Sequence, residues 1–332
     1  MKNLKMISSE NLFFNLQKFS DKKICAMVKA NAYGHGMKEI VSLLSGRVDY
    51  FGVVSVEEGV RVRKLCDTPV LICARAQDLK KCKKYNLEVM VESENDIKEC
   101  VKAGLDGMMH LKINCGMNRF GCSSALELKM IDRFLKEKEI QLKSIYTHFP
   151  RTQSAYFTKK CYKKFMKLRT EISQKVPLCF GGSGMKKYNF QFDMLRVGIG
   201  LYGYEQKDLK KVMRVDSYVS KIFFAKRGQF VGYGKKFRVR KSGFFAVVPV
   251  GYGDGLHRAL SGKFKVKIGK KKYRCVGNIC MDAFFVRVDE NVKVGDEVTV
   301  MDDAQCLAKK CGTISYEMLT SFSKLRGRTK IV

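Results

Sequence analysis

Proline, tryptophan and acidic residues are the scarce components of this 332-residue chain: 4 Pro, no Trp, and 32 Asp+Glu against 64 Lys+Arg. So little proline, beside 11% aromatic residues, excludes a disordered or linker-rich chain. No apolar run approaches the roughly 20 residues that span a bilayer. The first twenty residues begin basic but lack an apolar core and a small-residue cleavage site, so no signal peptide is read and a cytoplasmic location is expected. The 13 cysteines include no Cys-x-x-Cys pair, and none stands at zinc spacing from a histidine. No metal site or disulfide framework is therefore expected, and most cysteines read as buried, reduced, small apolar residues. The shortage of acid leaves a formal charge of +32, which turns attention to anionic partners. The basic residues are spread along both halves, however. Clusters such as Lys270–Lys272 are short, and acids interleave at Glu92, Glu94, Asp96 and Glu99. A nucleic-acid module concentrates its cations on one element among stacking aromatics. This chain reads instead as a solvated, lysine-rich surface, and no specific nucleic-acid partner is expected.

Length alone suggests about two domains. Short β-branched runs alternate with longer amphipathic stretches through the first two-thirds: Ile24–Val28, Tyr50–Val56, Pro69–Ala74, Leu87–Val91, Met108–Ile113, Ser144–His148, Leu178–Gly181 and Leu195–Leu201. Among the intervening stretches, Ser123–Lys138 carries Leu126, Met130, Phe134 and Leu135 near the helical period. Eight strands alternating with helices give the fold class α/β, a (β/α)8 barrel, with a doubly wound open sheet as the alternative. After about residue 215 the texture becomes short strands with Gly-containing turns, and helical pattern returns only near Tyr316–Leu325. The expectation is a barrel domain over 1–215 and a mainly β domain over 216–332, with the first few residues free to pack on the latter.

In a barrel, chemistry gathers where strands end. Lys29 closes the first apolar run. Apolar surroundings destabilise an ammonium and lower its pKa, which makes a lysine a plausible amine nucleophile. A surface lysine at a strand end is the plainer reading of that pattern. The segment Val28-Lys29-Ala30-Asn31-Ala32-Tyr33-Gly34-His35-Gly36 resembles the pyridoxal-phosphate lysine motif of the alanine racemase family. The resemblance continues in order through Cys115–Gly121, Tyr146–Phe149, Phe192–Gly203, Val250–Gly255 and Ile279–Asp282, nearly the whole chain. It implies a barrel plus a β domain, in agreement with the pattern above.

The resemblance implies that Lys29 holds pyridoxal phosphate covalently and then acts as one base, with Tyr252 as the base on the opposite face. Racemisation needs two such groups, one to remove the α-proton and one to return it from the other side. The tyrosine would come from the second subunit of a homodimer, with the β domain also supplying interface. Arg196 would face the cofactor's ring nitrogen and keep it unprotonated, because arginine does not give up its proton. This weakens the electron sink and suppresses transamination. His148 would join that network, and Arg119 and Met281 would meet the substrate, with Asp282 in support. Ser183, in Gly181-Gly182-Ser183-Gly184, would hold the phosphate with Gly198, Ile199, Tyr33 and Tyr316. Two departures stand out: Gly182 occupies a position that is usually Asn, and Asn114 one that is Asp in many relatives. Lys112 matches a lysine that is carbamylated in some members.

Gly198-Ile199-Gly200-Leu201-Tyr202-Gly203 also fits G-x-G-x-x-G, but a strand pattern runs through it and no helix opens there, so a nicotinamide cofactor is not expected. The reading is a homodimeric, pyridoxal-phosphate-dependent enzyme that interconverts L- and D-alanine for peptidoglycan. A broader-specificity racemase on the same scaffold is the near alternative. A non-catalytic basic nucleic-acid-binding protein is the distant one.

Overall fold

The computed structural model describes residues 2–332. Its contacts divide the chain into two units. One comprises Asn15–Lys29 and Ile40–Leu201. The other comprises the described residues up to Phe14, Ala30–Glu39 and Tyr202–Val332.

The first unit is a closed barrel of eight parallel strands in sequence order: Lys23–Met27, Tyr50–Val53, Val70–Ile72, Glu88–Val91, Met109–Lys112, Leu142–His148, Leu178–Gly181 and Met194–Val197. Each strand of a parallel barrel is covered on both faces, so its sequence is a short apolar run rather than an alternation. All eight strands fall on or overlap the predicted runs, so the barrel stands and the open sheet does not. The intervening helices are started by capping side chains. Ser55, Ser93 and Ser124 accept from the backbone N–H groups of Glu58, Asp96 and Glu127.

The helix over Ala125–Glu137 is present, but of the periodic set only Leu135 is buried and Phe134 half-buried. Leu126 and Met130 are 70% and 55% exposed, whereas Leu128, Ile131 and Leu135 are buried. Leu135 belongs to both periodic sets, and the packed stripe runs through it with Leu128 and Ile131. At the N-terminal end of the strands, His110 hydrogen-bonds Ser144 at 2.7 Å and Glu88 at 2.6 Å, all three buried. This network ties three strands together at the end of the barrel where side chains serve stability rather than chemistry.

The second unit is built on a nine-stranded sheet. Its order is Lys221–Ala225, Gly243–Val248, Phe284–Val288, Lys271–Val276, Lys265–Ile268, Glu297–Met301, Met213–Tyr218, Asn3–Ile7 and Gly327–Ile331. Asn3–Ile7 pairs antiparallel with Met213–Tyr218 and parallel with Gly327–Ile331, so the start and end of the chain close this sheet together. Along Lys265–Ile268 the valine and isoleucine are buried and both lysines face out. A period-2 strand with one wet face holds part of the excess charge in this way. Ala304–Cys311 is a helix that the sequence reading missed; eight residues ending Lys-Lys-Cys give too short an apolar stripe to see. All 13 cysteines are free and eight are buried. Among the described residues no helix is long and apolar enough to cross a membrane.

Candidate active site

The strand ends of the barrel bring several of the singled-out residues into one mouth. Register sets them side by side: His148 pairs with Gly181, and Gly181 with Arg196. Lys112 pairs with Tyr146 on the adjacent strand. Gly181 must be glycine, because a Cβ there would stand 2.4 Å from both Arg196 Nη2 and His148 Nδ1. Arg196 is buried. It donates to the Thr147 carbonyl at 2.7 Å and lies 4.4 Å above the Tyr146 ring centre.

The mouth is strongly cationic. Burial lowers the pKa of the Lys29 ammonium and outweighs Cys73 and Glu58, which pull it up, while Arg119 and Arg196 push it down with burial. Burial, then Arg196 and Arg119, bring Lys112 down to about 8. The Lys112 ammonium lies 5.0 Å from the Phe120 ring centre and 5.5 Å from that of Tyr146. His148 is brought down to about 3, first by burial and then by Arg196, Arg119, Lys112 and Lys29.

Asn114 shapes the loop that carries Arg119. Its carbonyl oxygen accepts from the N–H groups of Gly116 and Asn118, and its amide donates to Asn118 Oδ1. An aspartate could accept the first two bonds but could not donate the third.

Beside the cations lies a cradle of backbone donors. Gly184, Gly198 and Ile199 are buried, and among the described residues their N–H groups have no acceptor. Orphaned buried N–H groups are rare, and several in one place fit an anion. Ser183 Oγ accepts from Gly200 N–H at 3.0 Å, which fastens the two loops to each other. Cationic mouth and donor cradle together suit a ligand with a phosphate and a carboxylate.

The second unit holds the remaining candidates. Residues Ala30, Asn31, Ala32 and Tyr33, which follow Lys29, all have φ between 52° and 54°, a left-handed turn in a region most side chains avoid. Several groups hold it. Asn31 Oδ1 accepts from Met37 N–H at 2.7 Å, and buried Lys5 donates to the Gly34 carbonyl at 2.8 Å. His35 hydrogen-bonds the carbonyls of Ala32 and Tyr33 and stacks on Tyr202. Gly34 itself has φ 82°, and a Cβ there would come within 2.1 Å of the Leu319 carbonyl oxygen. Lys5 was not foreseen, since nothing local in the sequence marks it; Tyr202 lies within the Phe192–Gly203 motif, but the resemblance assigned it no role. Tyr33 packs on Tyr202 and Tyr316, and the Tyr316 hydroxyl donates to Glu205 at 2.6 Å.

Tyr252 and Met281 are 42% and 54% exposed, although their backbones are tied together. Tyr252 N–H donates to the Cys280 carbonyl and Gly253 N–H to that of Met281. Arg326 clamps both loops: it makes a two-pronged bond to buried Asp254 and reaches Asp282 at 2.7 Å. Arg326 was also missed; it lies more than forty residues beyond either motif. Tyr252 and Met281 are thus held by their backbones at the surface of this chain rather than in its core.

The depressed pKa values of His148 and His35 have a measurable consequence. Burial also brings His35 down to about 3, so both are neutral when folded at pH 5 while their unfolded counterparts protonate near 6.5. The unfolded state then binds more protons, and stability falls as pH drops from about 6.5 toward 3. The slope is about 1.4 kcal/mol per pH unit for each histidine. Urea unfolding at pH 7 and pH 5 should show this loss, reduced in His35→Gln.

Comparison with known proteins gives one answer. The family described as alanine racemase, N-terminal domain, matches residues 7–206, and alanine racemase, C-terminal domain, matches residues 212–330. The alanine racemase of Treponema denticola is 32% identical over 96% of this chain and 95% of its own. The solved alanine racemase of Clostridium difficile 630 superposes with a TM-score of 0.91 at 29% identity, over 100% of this chain and 96% of that one. That from E. faecalis gives 0.92 at 26%, over 99% and 98%. The barrel, the β unit and both matches agree: the chain belongs to the alanine racemase family of isomerases.

Proposed function

We propose that the protein is a pyridoxal-phosphate-dependent alanine racemase acting through two bases, Lys29 and Tyr252. The single observation that carries the cofactor assignment is the barrel mouth, where Lys29, with its pKa lowered, shares the space with Arg119, Lys112 and Arg196 and with orphaned backbone donors. A cluster of four cations fits a dianionic phosphate and a substrate carboxylate. Ser183, Gly198 and Ile199 are assigned to the phosphate, with Tyr33 and Tyr316 as further hydroxyl donors. Arg196 is assigned to the ring nitrogen and His148 to the network behind it. Arg119 and Met281 are assigned to the substrate and Asp282 to their support.

When bound, pyridoxal phosphate supplies the electron-withdrawing ring that makes the α-hydrogen of an attached amino acid acidic enough to transfer. The chain supplies the rest. Lys29 Nζ would hold the cofactor covalently and, once free, would exchange a proton with the α-carbon on one face. Tyr252 does the same on the other face. Permanently charged Arg196 offers the ring nitrogen no proton, which limits electron withdrawal and favours simple proton return. A carbamate on Lys112 would put a negative charge beside Arg119; its pKa of about 8 leaves a neutral amine fraction able to react with carbon dioxide.

The exposure of Tyr252 and Met281 supports a homodimer in which these residues enter the partner's site. D-Alanine made in the cytoplasm would supply peptidoglycan.

The test is racemisation of both alanine enantiomers with added pyridoxal phosphate, beside serine, lysine and arginine. Alanine is expected to exceed the larger substrates in kcat/KM by tenfold or more, since apolar pockets discriminate by about 1–3 kcal/mol per methylene. Equal turnover of lysine or arginine would favour the broad-specificity racemase instead. Failure to turn over any amino acid would remove the proposal.

A further inference from the structure

Thr152 lies between the Leu142–His148 strand and the Ala155–Arg169 helix, outside every motif that carries the family resemblance. Its side chain reaches across to the glycine cradle of the next strand. A Cβ built on Gly184 would stand 2.4 Å from Thr152 Oγ1, and one on Gly182 would stand 3.3 Å from its methyl carbon. Two glycines therefore leave the space that this threonine fills.

The backbone of Thr152 is pinned. Tyr188 donates its hydroxyl to the Thr152 carbonyl at 2.8 Å, and Thr158 Oγ1 donates to the preceding carbonyl of Arg151 at 3.0 Å. The residue is 7% exposed, yet among the described residues its hydroxyl has no hydrogen-bond partner. A hydroxyl with no protein partner in a largely buried residue is free to donate to a bound ligand. It lies against Gly184, whose own buried N–H is equally unpartnered, in a loop fastened through Ser183 to Gly200. Two unused donors at one spot, one a backbone N–H and one a side-chain hydroxyl on a pinned backbone, define a place for an anionic oxygen.

We infer that Thr152 is a cofactor-binding residue, whose hydroxyl donates to a phosphate oxygen of the ligand held by the Gly182–Gly184 loop. This rests on the reading of the barrel mouth as a pyridoxal-phosphate site. It assigns a side-chain donor from the neighbouring strand's loop to a cradle where Gly182 brings no side-chain donor of its own.

The test compares pyridoxal phosphate with pyridoxal, which keeps the ring and aldehyde but lacks the phosphate. Both are titrated into the apo form of the full-length protein and followed by the visible absorbance of the lysine-bound cofactor. Thr152→Val, which keeps the shape, is expected to raise the Kd for pyridoxal phosphate about tenfold, as for loss of one charge-assisted hydrogen bond. The Kd for pyridoxal is expected to stay within about twofold of wild type, and Thr152→Ser should restore most of the phosphate preference. An unchanged Kd for pyridoxal phosphate in Thr152→Val overturns the assignment. So does an equal rise for both ligands, which would mark a packing role. If wild-type protein develops no such absorbance with pyridoxal phosphate, the cofactor reading itself fails, and that outcome is distinct from either of these.

Discussion

Replacing Lys29 by alanine is expected to lower racemisation of L- and D-alanine by about 10⁴-fold or more, because one side chain both anchors the cofactor and moves the α-proton. Two features make Lys29 the right group. It stands at the end of the Lys23–Met27 strand, where burial keeps its ammonium below the usual lysine range, and it shares the mouth with Arg119 and Arg196, which press the same way. A lysine of ordinary pKa is almost wholly protonated at neutral pH and can neither attack an aldehyde nor accept a proton. The fold should survive the substitution, since the left-handed turn that follows Lys29 is held by Asn31, Lys5 and His35 rather than by Lys29. An added primary amine such as methylamine should recover part of the lost rate. Full activity in Lys29→Ala, measured by polarimetry, would remove the residue from the mechanism.

The second large effect is expected at Tyr252. L- and D-alanine have equal free energies, so kcat/KM must fall equally in both directions when either base is lost. The asymmetry belongs to exchange of the α-hydrogen with solvent. In deuterium oxide, Tyr252→Phe should still exchange one enantiomer, the D-form, through Lys29, while exchange of L-alanine falls by about 10²–10⁴-fold. Proton NMR of the α-position separates the two. If both enantiomers exchange at wild-type rates, Tyr252 is not a base.

The same variant tests the dimer. Chains carrying Lys29→Ala alone, or Tyr252→Phe alone, are each expected to be almost inactive. If each site takes its tyrosine from the partner subunit, a hybrid dimer has one site with both defects and one with neither. Equal mixing, after dissociation and reassociation, should then restore about a quarter of wild-type activity. No recovery would place Lys29 and Tyr252 of one chain in one site.

The barrel was legible because every strand is an apolar run buried on both faces, and each run ends where its chemistry begins: Lys112, His148 and Arg196 sit at or next to a strand terminus. The β unit was legible as a class but not in its closure. Asn3–Ile7 alternates only weakly, and its place between Met213–Tyr218 and Gly327–Ile331 depends on contacts more than 200 residues away. The Ala125–Glu137 helix was legible by its period, but its buried stripe was not, because apolar residues occupy two of its sides.

The supporting residues of the site were hidden for a related reason. Arg326 clamps Asp254 and Asp282, Lys5 ties down Gly34, and Thr152 leans on Gly184. Each acts across a long sequence separation and sits in no motif, so only the folded chain brings it to its partner.

The +32 charge finds part of its explanation in the fold. Lys265 and Lys267 occupy the wet face of a strand, and Lys29, Lys112, Arg119 and Arg196 form the mouth. The mouth is where positive charge has work to do, since it faces the anionic groups assigned to it.

Borohydride trapping tests that central assignment most directly. The protein is mixed with pyridoxal phosphate, reduced, digested and mapped by mass spectrometry. The expected result is a single pyridoxyl label on Lys29. A label on Lys112 or on scattered surface lysines, or no label at all, would contradict it.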